Sequence, residues 1–235
     1  MDKLHLDQHI SRHFNEELEQ IKTRMLEMGG QVEIQVADAV RALESADSAL
    51  AATVISREPA IDALEIQIDE DCTTLIARRQ PAATDLRLVM AVSKTIRDLE
   101  RMGDEAKKIA KMAIQLSEEG SAPRGYVEIR HIASDVRRML NDTLDAFTRY
   151  DADSALRTLR SDRQIDLDYK TAVRELVTYM MEDPRSISRV MNIMWALRSL
   201  ERIGDHAKNI CEQVVYLVKG QDIRHGNLDN LDKLE

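Results

Sequence analysis

Glycine, proline, cysteine and aromatic residues are scarce in this 235-residue sequence: there are 8 Gly, 4 Pro and 2 Cys, with 1 Trp, 5 Tyr and 2 Phe. Each scarcity excludes something. Cys72 and Cys211 cannot make a disulfide framework, and their low number suits a reducing cytosol. Few aromatics leave few platforms for base stacking, and a formal charge of −9 is a poor start for a nucleic-acid binder. No apolar run exceeds five residues, as in Val214–Val218, far short of the roughly 20 that span a bilayer. Residues 1–20 hold no cleavable apolar core, so secretion is not expected. There is no P-loop, dinucleotide fingerprint, nucleophile elbow or paired Cys-x-x-Cys. With 43% hydrophobic and 32% charged residues the chain is neither disordered, collagen-like nor membrane-like in composition. The expectation is a soluble, acidic, intracellular protein large enough for one sizeable core or two smaller ones.

What is abundant is helix-forming sequence. Val89, Val92, Ile96, Leu99, Met102, Ala106, Ile109 and Ala113 recur three and four apart. So do Val190, Ile193, Leu197, Leu200, Ile203, Ala207, Ile210, Val214 and Leu217. These spacings are those of amphipathic helices, and nothing alternates with period two over a useful length. The pattern predicts an all-α fold with six long helices near residues 7–45, 48–79, 84–117, 125–149, 153–181 and 186–219. Gln80-Pro81 and Asp183-Pro184 fit tight helix–helix turns, because proline disfavours helix in the residue before it. Gly120 to Gly125 is the best linker, Asp47-Ser48 and Asp153-Ser154 are expected helix starts, and Gly29-Gly30 is a candidate bend.

The chain also carries an internal duplication. Ala46–Leu50 (ADSAL) recurs as Ala152–Leu156 at an offset of 106, and Ile61-Asp62 recurs as Ile165-Asp166 at 104. Arg97–Ile109 (RDLERMGDEAKKI) recurs as Arg198–Ile210 (RSLERIGDHAKNI) at 101, with nine identities in thirteen positions. The drift from 106 to 104 brackets Pro59, which is read as a helix kink. The organisation expected is two pseudo-repeated three-helix bundles, residues 1–120 and 121–220, followed by a flexible tail over 221–235.

The repeated segment makes physical demands. Gly103 and Gly204 fall inside helices, where each costs about 1 kcal/mol relative to alanine, so another helix or a ligand is expected to come close there. Glu100 and Asp104 share one helix face, as do Glu201 and Asp205. Folding each helix hairpin about its turn brings Glu58, Asp62 and Glu65 opposite Glu100 and Asp104. It likewise brings Asp162 and Asp166, with Asp168 nearby, opposite Glu201 and Asp205. Like charges gathered this way raise one another's pKa unless a cation or an arginine neutralises them. All-oxygen clusters suit hard cations such as Mg²⁺, Mn²⁺ or Ca²⁺, and carboxylate-bridged iron also fits. Salt bridges to Arg97, Arg101 and Lys108 are the competing explanation.

The duplicated Leu-Glu-Arg-x-Gly-Asp (Leu99–Asp104 and Leu200–Asp205) resembles PhoU-type phosphate-signalling regulators over nearly the whole chain. Arg79-Gln80-Pro81-Ala82, Asp85-Leu86-Arg87 and Lys219-Gly220-Gln221-Asp222 carry the same resemblance. It implies an all-helical, non-enzymatic cytoplasmic protein. Such a protein works with a phosphate ABC transporter, through its ATPase subunit, and with a membrane sensor histidine kinase, keeping the phosphate-starvation response off when phosphate is plentiful. It also implies a homodimer that reaches the inner membrane through protein partners, without inserting and without binding nucleic acid. Its metals would be divalent or trivalent ions (Mg, Mn, Fe or Zn), with no organic cofactor. The family's acidic pairs fall on Glu65-x-x-x-Asp69 and Glu100-x-x-x-Asp104 in the first half and on Glu201-x-x-x-Asp205 in the second. Tyr169 and Val173 replace the Glu65 and Asp69 equivalents, leaving Asp162-x-x-x-Asp166 as the substitute.

Weaker signals read as structure. His5, His9 and His13 share a helix face that fits solvent, and Glu128-x-x-His131 is half of a di-iron motif that needs two copies. Cys72, Cys211 and the methionines read as core filling, and Met194 and Trp195 are expected inside the second bundle. The runner-up functions are a carboxylate-bridged metalloenzyme and a purely structural helical scaffold.

Overall fold

The second helix of each half begins where an aspartate side chain takes over the orphaned backbone amides. At Asp47 the carboxylate Oδ1 accepts from the Leu50 amide at 2.9 Å, and at Asp151 it accepts from Asp153 and Ser154 at 3.1 and 3.0 Å. The residue before each cap, Ala46 and Tyr150, is left-handed at φ 52° and 55°. These are two of the turns between six helices in a computed structural model that describes residues 12–118 and 126–224. They are α1 (Arg12–Ser45), α2 (Ser48–Arg79), α3 (Ala83–Glu118), α4 (Tyr126–Arg149), α5 (Ala152–Glu182) and α6 (Ile187–Lys219). A single 3₁₀ turn, Pro184–Ser186, precedes α6. No strand occurs among the described residues, and the fold is all-α.

Two features correct the expected boundaries. The second cap is Asp151, not Asp153, so the structural equivalent of Asp47 lies at offset 104. The Ile61/Ile165 match has the same offset, so nothing is inserted around Pro59, and α2 runs unbroken through it. The ADSAL likeness is therefore two residues out of structural register, because Asp151 offers the cap one position before the repeated motif starts. At the far end, Ile223 is buried in the core just past the left-handed Gly220, so the chain remains anchored through at least that residue. The Gly120–Gly125 linker, His5, His9 and residues 225–235 lie outside the described residues.

Within each half the three helices pack on one another, α1 with α2 and α3, and α4 with α5 and α6. The halves join along α3 and α6, with α1 against α4. One continuous hydrophobic core includes residues of all six helices, among them Met25, Ile68, Leu99, Phe147, Leu159 and Ile203. α1 passes through Gly29-Gly30 as one helix, and Gly29 is where Leu144 of α4 comes close. The helical glycines of the duplication are explained by helix approach: Gly103 faces Ile61 and Gly204 faces the equivalent Ile165.

Buried polar contacts stitch the α3–α6 seam. Asp98 Oδ1 accepts from Asn209 Nδ2 at 3.0 Å and lies 2.8 Å from His206 Nδ1. Glu105 Oε1 receives Arg202 at 3.2 Å and Lys108 at 2.9 Å. Cys72 and Cys211 are both buried, and burial pushes each thiol up to about 12, so neither is a poised nucleophile.

Candidate carboxylate centres

Because α2 and α3 form an antiparallel hairpin, positions equidistant from the turn meet, and the acidic residues of the first half do converge. Burial holds the Glu100 carboxyl above its ordinary value, with Asp104, Glu65 and Asp62 adding to the rise and Arg101 opposing it. Asp104 is raised by burial, then by a hydrogen bond with Glu58 and that residue's charge. Glu65 is raised by burial, with Arg97 opposing and Asp69 and Asp62 reinforcing. Asp69 sits one turn further along α2, where its Oδ1 accepts from Ser93 Oγ at 2.8 Å. Glu58, buried, completes the other end of the cluster: Lys107 Nζ lies 2.7 Å from its Oε2.

The second half repeats this arrangement on α5 and α6. Asp162 is raised by burial, with Lys208 opposing and Asp166 and Asp205 reinforcing. Glu201 is raised by burial and Asp205, with Arg198 opposing and Asp166 and Asp162 adding. Lys208 Nζ lies 3.1 Å from Asp162 Oδ2, the counterpart of the Lys107–Glu58 pair. Glu201 divides its oxygens: Oε1 receives Arg198 Nη1 at 2.6 Å, whereas Oε2 is buried with no hydrogen-bond partner. Where the first half has Glu65, the second has Tyr169, over whose ring the Arg198 guanidinium stands at 5.9 Å. The second cluster is therefore built on four carboxylates, with Tyr169 and Val173 in the places of Glu65 and Asp69.

The cations the sequence nominated do act here: Arg97 and Arg101 oppose the rise of Glu65, Arg101 that of Glu100, and Lys108 that of Asp104. Lys108 also pairs with Glu105, and Lys107, which the sequence did not nominate, pairs with Glu58 and joins Lys108 in lowering Asp104. Trp195 also departs from expectation: it is 58% exposed, in a row with the exposed Ile187 and Met191 on α6, and only Met194 packs partly against the core. The cause is register, since Ile193, Ala196 and Leu197 take the inward positions and turn Trp195 outward.

One constellation escaped the sequence reading. His131 and Asp135 of α4 meet Asp168 of α5, with His131 Nε2 at 3.7 Å from Asp135 Oδ2 and 3.5 Å from Asp168 Oδ2. The signal available was His131-x-x-x-Asp135, one helical turn apart, on the face of α4 turned to α5. Glu128, paired with His131 in the sequence reading, has no described side chain.

Comparison with known proteins places these features in a family. The PhoU domain model matches residues 25–113 and 129–214, once in each half. The phosphate-specific transport system accessory protein PhoU homolog of Pseudomonas putida is 60% identical over 231 residues, spanning 98% of this chain and 90% of that one. The phosphate-specific transport system accessory protein PhoU of Escherichia coli K12 is 48% identical over 234 residues, spanning 100% and 97%. The crystal structure of PhoU from Pseudomonas aeruginosa superposes with a TM-score of 0.87 at 61% identity, covering 88% of this chain and all of that one. That of the phosphate transport system regulatory protein PhoU from Streptococcus pneumoniae gives 0.83 at 32% identity, covering 89% and 98%.

Proposed function

Because this chain belongs to the PhoU family, we propose that it is an accessory protein of a phosphate-specific transport system. It couples a phosphate ABC transporter, through the ATPase subunit, to a membrane sensor histidine kinase, and represses phosphate-starvation genes when phosphate is plentiful. The observation that carries this reading is the chain-long likeness, in which both halves take part, to proteins named for accessory and regulatory roles in phosphate transport. An adaptor of this kind needs no reacting groups. It needs surfaces whose affinity for each partner depends on the partner's conformational state. No described helix is long and apolar enough to cross a membrane. The protein works in the cytoplasm, as a homodimer, and meets the inner membrane through its protein partners.

In this reading the carboxylate clusters hold divalent or trivalent cations. The donor chemistry suits such a group: the donors are all oxygen, Glu201 Oε2 is buried without a partner, and burial, reinforced by neighbouring carboxylates, raises Glu65, Glu100, Asp162 and Glu201. Asp62, Glu65, Asp69, Glu100 and Asp104 would hold metal in the first half, and Asp162, Asp166, Glu201 and Asp205 in the second. The bound ion would supply positive charge to these carboxylates and tie α2 to α3 and α5 to α6. One observation favours a second reading, a salt-bridged scaffold: Lys107 and Lys208 already neutralise the outermost carboxylate of each cluster. Metal analysis of the purified protein separates the two.

The functional test is capture of partners from host membranes with the tagged full chain. Enrichment of the transport ATPase subunit and a sensor histidine kinase is expected. Recovery of neither contradicts the reading.

A further inference from the structure

The geometry points to a third metal site, for a single first-row transition ion of the Zn²⁺ type, held by His131 Nε2, Asp135 Oδ2 and Asp168 Oδ2 between α4 and α5. Among the described residues, this is the group of His, Cys, Asp or Glu side chains whose three ligand atoms all lie within 4.8 Å of one another. The separations have the scale a metal needs. Ligands about 2.1 Å from a tetrahedral ion stand roughly 3.4 Å apart, and the His131 contacts are 3.5 and 3.7 Å.

The supporting bonds leave the required atoms available. Asp135 uses Oδ1 to receive Arg138 Nη2 at 2.5 Å, one turn along its own helix. Asp168 uses Oδ1 to receive Gln164 Nε2 at 2.8 Å, again on its own helix. Each carboxylate therefore turns its second oxygen toward the imidazole. Asp168 Oδ2 is shielded from solvent and accepts no hydrogen bond, an orphaned anionic oxygen aimed at His131. Hydrogen bonds accepted by the first oxygen fix the orientation of a ligating carboxylate, as metal centres require.

The site is distinct from the carboxylate clusters. Asp168 lies two residues beyond Asp166, which turns it about 200° around α5, away from α6 and toward α4. It also differs in chemistry, because an imidazole among carboxylates favours zinc or iron over the hard cations that all-oxygen clusters take. With three protein ligands, a fourth position stays open to water or an anion. His131 is 65% exposed, so the ion would exchange with solution while pinning α4 to α5.

The test uses the full chain, stripped with chelator and labelled with ¹⁵N at histidine, with Zn²⁺ alone as the probe. Addition of Zn²⁺ is expected to move the His131 Nε2 resonance to the metal-bound range, with that resonance assigned by its loss in His131→Gln. Zn²⁺ affinity at this site, read by competition with a chromophoric chelator, should fall at least tenfold in Asp168→Asn. The double variant Asp104→Asn/Asp205→Asn should leave the His131 response intact, which separates this site from the clusters. An unmoved His131 resonance, or a response abolished by the double variant and not by Asp168→Asn, overturns the proposal.

Discussion

Lys208 Nζ stands 3.1 Å from Asp162 Oδ2, and the pair occupies the place that Lys107 and Glu58 hold in the other half. Asp162 is almost fully buried, and the same burial that raises its carboxyl leaves Lys208 as its main counter-charge. Lys208→Met should therefore destabilise the protein by about 1–3 kcal/mol, the penalty of leaving a buried carboxylate without its donor. Urea unfolding measures it. Lys170→Met, whose lysine lies 3.9 Å from Asp166 at the surface, should change stability by less than about 1 kcal/mol.

The raised carboxyls set a pH dependence for the metal-free protein. Glu65, Glu100, Asp104, Asp162 and Glu201 all bind protons more readily folded than unfolded. Across the range from the unfolded carboxylate value of about 4 upward, the folded state carries more protons, so these groups add stability as pH falls toward that value and remove it as pH rises. The chelator-stripped protein should melt higher at mildly acidic than at neutral pH. Groups lowered in the folded state act oppositely: Asp151, bonded to Ser154, and Asp222, lowered to about 2 by Arg224, lose their contributions at more acidic pH. Glu100→Gln should flatten the mildly acidic rise in a pH series of melting curves.

Asp104→Asn probes the hydrogen bond with Glu58 as well as metal binding. An asparagine amide donates to Glu58 without the shared proton, so metal-free stability should hold or rise, while stabilisation by added Mn²⁺ should fall. Differential scanning fluorimetry with and without metal reads both. If the carboxylates serve only salt bridges, metal-free stability drops slightly and no metal response exists to lose. Asp205→Asn should behave alike.

The duplicated glycines separate helix propensity from crowding. A Cβ on Gly204 would meet ordinary contacts, the nearest being Asp162 Oδ1 at 3.7 Å, whereas on Gly103 it would lie 3.3 Å from Ile61 Cδ1. Gly204→Ala should stabilise by about 0.5–1 kcal/mol, and Gly103→Ala should gain less because Ile61 must shift. Gly30 has open space around it, and Gly30→Ala should gain the full propensity difference of about 1 kcal/mol. Chemical denaturation of the three variants ranks them.

The six helices were legible because their apolar spacing is long and regular, and the duplication exposed the carboxylate clusters because antiparallel folding about Pro81 and Pro184 follows from turn chemistry. Periodicity identifies an inward face without saying which neighbour it meets. Asp98 and Glu105 of α3 are buried because α6 covers them with His206, Asn209 and Arg202, a pairing that the spacing within α3 does not reveal. His131 and Asp168 lie on different helices, and only the packing of α4 on α5 joins them. The repeated motif indicates a cap at Asp153, two residues downstream of the cap that Asp151 provides.

The central claim is regulatory, and one expression measurement reaches it. In a host lacking this gene and supplied with ample phosphate, a reporter of the phosphate-starvation response should be fully on, and restoring the full chain should turn it off. A reporter that stays off without the protein, in cells whose sensor kinase is intact, would contradict the account.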